Sequence, residues 1–193
     1  ERQPSLIGQV NSALFDRSVR VLRPVRDMLW GIMRTLRKLT PAKFDVMYRG
    51  VSGRVDASDA RYAPGALLKW ACFTFATTDK GAACKSTGEN GTLYVVRGAE
   101  AYRMDSLFKA CDKDKQLMLE PDTLFKVVSV TESEGRCEVV LEMVQDAARL
   151  LGTNFIETVC RRTVKRQETR SDFEQSVQPW QLAADMGHAL CIH

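Results

Sequence analysis

Between Lys109 and Gln116 the chain reads KACDKDKQ, a polar loop that runs directly into Leu117-Met118-Leu119. A loop that feeds a buried strand is a good place to hold a chemical group, because the strand fixes the last loop side chains rigidly. Asp112, Asp114 and Gln116 are therefore the residues whose chemistry must be decided. A second candidate is Arg49-Gly50, which follows the strand-like run Phe44 to Tyr48. An arginine delivered at a strand end presents a planar, permanently charged fork suited to phosphate, and a following glycine leaves backbone room for it. Set against these, aspartates flanked by Lys113 and Lys115 also fit solvated turn residues, whose charges are neutralised in water.

Metal chemistry has no visible ligand set. The six cysteines, Cys72, Cys84, Cys111, Cys137, Cys160 and Cys191, form no C-x-x-C pair, and both histidines lie near the C-terminus. Six cysteines permit disulfides, but a chain with this much core has no need of them, so free thiols in a reducing, cytoplasmic setting are expected. No run of eighteen apolar residues occurs, so no membrane span is expected. The chain opens at Glu1, which is read as a processed form or part of a longer protein; a signal removed upstream is compatible with it. Asn90-Gly91-Thr92 fits a glycosylation pattern, but Asn-Gly before a strand is read as a turn.

The elements that must position these residues follow from periodicity. Leu6, Val10 and Leu14, then Leu22, Val25, Leu29, Ile32, Leu36 and Leu39, recur at helical spacing, so two amphipathic helices are expected, with Pro24 in the first turn of the second. Their arginines, Arg17, Arg20, Arg23, Arg26, Arg34 and Arg37, fall mainly off the apolar stripe. They make either a basic face for nucleic acid or an acidic partner, or a solvated helix surface. Strands are expected at Phe44 to Tyr48, Leu67 to Thr74 continuing to Thr78, Thr92 to Val96, Gln116 to Leu119, Leu124 to Val130 and Cys137 to Val144. Val51 to Ala66 reads as loop and Asp79 to Ser86 as a short helix. The last two strands should pair across Ser133 to Gly135. Asp146 to His193 reads as a helical extension that ends in an amphipathic segment with Trp180, Leu182, Met186 and Leu190.

Taken together, the blocks Tyr48-Arg49-Gly50, Trp70-Ala71-Cys72-Phe73-Thr74, GTLYVVRG and KDKQLMLEPDTLFKVVSV resemble, in that order, the arginine-type mono-ADP-ribosyltransferases. The resemblance covers about Leu6 to Val144. It implies an α+β fold with two antiparallel sheets around a cleft for NAD, in an ADP-ribosyltransferase-like domain over 1–145 followed by the extension 146–193. It also implies that Arg49 grips the NAD phosphates, with Gly50 and Thr74 in the same cleft. A Ser-Thr-Ser on the second strand falls at Phe75, Ala76 and Thr77, and a Glu-x-Glu opening the later strand falls at Asp114, Lys115 and Gln116. Both signature motifs are thus altered. Cleaving the nicotinamide bond develops a cation that the family steadies with the second glutamate, and Gln116 has that shape without the charge. Phe75 removes the hydroxyl that would orient it. Glu120 lies on the same strand face, but about 13 Å further along. A scaffold that has lost catalysis and acts as an interaction module is therefore expected, with the extension either supplying the partner contact or packing on its own core. An active transferase using Asp114 or Asp112, and nucleic-acid binding through the N-terminal helices, are the alternatives.

Overall fold

The computed structural model describes residues 6–104, 115–133, 135–145, 155, 156 and 159. Asp112, Asp114, three of the cysteines (Cys111, Cys160 and Cys191) and almost all of the C-terminal extension lie outside the described residues. The chain divides into two compact units, one made of Glu1–Leu39 and Ala148–His193, the other of Thr40–Ala147.

In the first unit, α1 spans Leu6–Phe15, α2 Val19–Leu22 and α3 Arg26–Leu36. Val10, Ala13 and Leu14 are buried on α1, and Leu29, Met33 and Leu36 on α3, which is the stripe the helical spacing requires. The expected second helix is interrupted. Pro24 falls between α2 and α3 because its ring would strike the carbonyl four residues back and it has no N–H to give a helix interior. α1 stops in a Schellman turn, with Ser18 N–H donating to the Ala13 carbonyl at 2.8 Å and Arg17 N–H to Leu14 at 3.3 Å. Arg17 holds the left-handed conformation of that turn, with φ at 55°.

The second unit is built on seven strands: β1 Ala42–Val51, β2 Leu67–Trp70, β3 Thr74–Thr77, β4 Thr92–Arg103, β5 Gln116–Leu119, β6 Thr123–Ser133 and β7 Arg136–Met143. Their order is β1-β3-β5-β4-β7-β6-β2, and β1 also pairs along almost the whole of β4. β1, β3, β5 and β4 thereby close on one another. All ladders are antiparallel except β4–β7, so the α+β class stands, with the strands in one continuous hydrogen-bonded sheet. The β6–β7 hairpin turns at Ser133 to Gly135 as its sequence indicates, with Gly135 at positive φ. One expectation fails in an informative way. Leu67 to Thr78 is two strands, because Trp70 ends a pairing with β6 while Thr74 begins one with β5, and Ala71 to Phe73 carry the chain between them.

The main core lies on one face of these strands around Met47, Val96, Phe125, Val127 and Leu141, all fully buried. A smaller core of Leu93, Val95 and Val140 packs under α4, Lys80–Thr87. Asp79 starts α4 as its cap, accepting from Gly81 N–H at 2.7 Å and Ala82 N–H at 3.1 Å. Gly50 is what lets α4 lie so close to β1. A Cβ added there would stand 1.9 Å from the Ala83 carbonyl oxygen. Gly91 is confined in the same way by the Thr87 and Val51 carbonyls, at 2.1 and 2.2 Å. Because backbone atoms cannot rotate aside, Gly50→Ala should lower unfolding free energy by about 2 kcal/mol or more. Urea unfolding measures this, and a loss below about 0.5 kcal/mol would contradict the contact.

Candidate functional site

The β1–β4 register sets Arg49 opposite Tyr94. Directly opposed residues point to the same face, so Arg49 extends over the aromatic side of the sheet, the face that Met47 also occupies two residues earlier. Its Nη1 donates to the Phe75 carbonyl at 2.9 Å, and its guanidinium carbon lies 5.6 Å from the centre of the Trp70 ring. Trp70 is held edge-on by Tyr94, with ring centres 5.4 Å apart at 84°, and it also packs on Phe125 at 4.5 Å. The Tyr62 hydroxyl, from a single helical turn at Ala60–Tyr62, comes within 3.3 Å of the Tyr94 hydroxyl. Burial disfavours the charged guanidinium and pulls its pKa down, and only Tyr94 and Cys72 oppose this. Among the described residues no carboxylate meets Arg49. A desolvated cation without a counter-charge is an arrangement that an anion would relieve.

Phe75 is half-buried and stands opposite Met118, while Thr77 stands opposite both Gln116 of β5 and Tyr48 of β1. Phe75 and Gln116 therefore share one face of the β3–β5 ladder, one diagonal step apart, and Arg49 touches the same strand through the Phe75 backbone. Because Thr77 also stands opposite Tyr48, Phe75 and Gln116 lie on the Tyr48 face, whereas the Arg49 side chain lies on the other face with Tyr94; the three sequence candidates sit on neighbouring strands, joined through the Phe75 carbonyl. The Gln116 Oε1 is buried and has no hydrogen-bond donor among the described residues. Lys115, immediately before it, holds a left-handed backbone, φ 46°, which fixes how the chain enters β5. Thr74 is fully buried and its hydroxyl donates to the Cys72 carbonyl at 3.1 Å, so it braces the crossing between β2 and β3. Beside Gly50 the space is taken by α4. Glu120 accepts from the Tyr102 hydroxyl at 2.6 Å, and its carboxylate is committed at the far end of β5. No group of three or more metal-ligating side chains occurs among the described residues.

No family model and no curated protein matches the sequence. Solved structures do match. The ADP-ribosyltransferase Vis, a toxin of Vibrio splendidus, superposes with a TM-score of 0.60 at 17% identity, over 75% of this chain and 69% of that one. The fold is that of the mono-ADP-ribosyltransferases. Two further transferases agree: HopU1 of Pseudomonas syringae, with a TM-score of 0.51 at 20% identity over 66% of this chain and 59% of that one, and the eukaryotic mono-ADP-ribosyltransferase ART2.2, at 0.55 and 15% over 72% and 60%. On this ADP-ribosyltransferase-like scaffold, Tyr94 and Tyr62 are the site residues that sequence reasoning misses. Tyr94 lies inside GTLYVVRG, but only the β1–β4 register reveals that it faces Arg49; Tyr62 sits in a stretch with no periodicity at all.

Burial and the Tyr62 hydroxyl hold the Tyr94 proton, raising its pKa above the ordinary 10.0. Above that value the unfolded chain releases the proton while the folded chain keeps it, so the unfolded state binds fewer protons and stability falls as pH rises past about 10. Tyr94→Phe should flatten this alkaline loss by up to about 1.4 kcal/mol per pH unit. Urea unfolding at several pH values from about 9 to about 11, one unit either side of the ordinary tyrosine value, gives the comparison. Identical slopes in the two proteins would place Tyr94 in contact with solvent.

Proposed function

We propose that this chain is an ADP-ribosyltransferase-like module that retains the anion-gripping half of a dinucleotide cleft, has lost the half that steadies the reacting cation, and serves through contacts with other proteins. What supports the reading is a pair of electrostatic conditions on neighbouring strands, Arg49 reaching β3 at the Phe75 carbonyl and Gln116 lying on the other face of the β3–β5 ladder. Arg49 is a desolvated cation with no carboxylate among the described residues, and Gln116, where the fold's chemistry needs an anion, is neutral with an amide oxygen that finds no donor among those residues. Phe75 adds bulk where a hydroxyl would orient that anion. NAD is the ligand this cleft suits, through its diphosphate at Arg49 and an aromatic surface at Trp70.

Without the charge at Gln116, transition-state stabilisation falls by on the order of 3 kcal/mol, a hundredfold or more in rate. The residues left for a protein partner are those of the extension, Arg161 to Arg166 and the apolar set around Trp180, which supply charge and buried area of the kinds interfaces use. Calorimetric titration with NAD followed by a nicotinamide-release assay on the same sample tests the reading. The wild type should bind without release, while Phe75→Ser with Gln116→Glu should raise release about a hundredfold over background. Release by the wild type would overturn the proposal and assign the acid to Asp114 or Asp112.

A further inference from the structure

We propose that the corner joining α1 to α3 is a docking surface for an anionic lipid bilayer. The observation is a concentration of exposed apolar side chains among exposed arginines. Phe15 is 73% exposed, Val19 43% and Val21 49%. Among the described residues only Leu67 and Val128, both in the second unit, are large apolar side chains exposed to this degree, so the first unit gathers its set into seven consecutive positions. Arg20 and Arg23 are exposed within the same corner, and Arg34, Arg37 and Lys38 are exposed at the end of α3. From Phe15 to Lys38 the chain has seven basic residues and two acidic ones. Of those acids, Asp27 already faces Arg26 at 3.5 Å, which leaves Asp16 to set against the cationic surface.

Geometry prevents the apolar groups from simply folding away. The Schellman turn after α1 and the Pro24 break after α2 confine Val19–Leu22 to one helical turn, and Leu22 is the member of that turn that fills the core, at 0% exposure. Val19, Arg20 and Val21 are consequently held outward. The Arg17 side chain lies over the Phe155 ring at 4.7 Å, so it braces the corner from within the unit.

The chemistry selects the occupant. Nucleic acid would satisfy the arginines, but it reads bases with aromatic and polar groups and gains nothing from two exposed valines. A bilayer surface uses both sets at once, because basic side chains lie at anionic headgroups while apolar ones enter the acyl boundary. Charge complementarity with a negative leaflet therefore favours lipid. The association is a surface one, since no helix among the described residues is long and apolar enough to cross a membrane.

Co-sedimentation of the full chain with phosphatidylcholine vesicles, with and without phosphatidylserine, is the test. Binding should appear only with phosphatidylserine and weaken as salt rises. Phe15→Ser with Val21→Ser should weaken it about tenfold at constant charge. Arg20→Gln and Arg23→Gln should each weaken it about fivefold. All four positions are exposed, so circular dichroism should show unchanged folding. The proposal is overturned if the folded chain stays in the supernatant with phosphatidylserine vesicles, if the apolar pair can be replaced without effect, or if single-stranded RNA displaces the protein from the vesicles.

Discussion

A half-buried guanidinium held against a backbone carbonyl and an indole ring, with no carboxylate among the described residues to answer it, is the constraint on which the second unit turns. Arg49 holds its position because β1 is paired on both sides, with β4 along nearly its whole length and with β3 at Tyr48. The Phe75 carbonyl that receives it belongs to β3, so the short β3 strand and the long β1–β4 pair are tied at this point. Trp70 completes the enclosure from the end of β2. A protein gains little stability from leaving a cation in this state, since desolvation opposes it and a hydrogen bond to a neutral carbonyl repays only part. Under the proposed reading, an anion bound at Arg49 would supply the counter-charge.

The opposite face of the β3–β5 ladder is where the proposed reading departs from catalysis. Thr77 and Gln116 face each other with Phe75 one step along, and the nearest described acid on that strand, Glu120, is engaged by Tyr102. Fold and chemistry separate here. The superpositions on transferases establish the scaffold, whereas activity depends on the charge of single side chains. A glutamine in place of a glutamate keeps the shape and hydrogen-bonding reach of the position, so the strand folds the same way while the electrostatic contribution to a cationic transition state is removed.

Much of this arrangement was legible in the sequence, for identifiable reasons. β5, β6 and β7 are bounded by turn formers and rich in branched apolar residues, and Asp79 announces α4 as a capping residue. Arg49 and Gln116 were singled out from neighbouring motifs, and the register sets them on the β1 and β5 strands that flank β3. What was not legible depends on long-range pairing. β4 was expected to end at Val96 and runs on to Arg103, because Gly98 adopts positive φ and the strand continues beyond it along β1 and then β5. The break after Trp70 is invisible in LLKWACFTFATT, a run whose halves look alike and differ only in which strand each meets. The role of Gly50 was read as room for a ligand, and the structure assigns that room to the α4 backbone.

The most direct test of the central claim is the unfolding free energy of Arg49→Met compared with wild type, measured with and without saturating NAD. If the guanidinium is held for an anion, the ligand-free variant is as stable as wild type or more so, and the stabilisation by NAD seen in wild type disappears. A ligand-free loss of about 3 kcal/mol or more would show that Arg49 is a structural cation whose partners the fold requires, and would contradict the account.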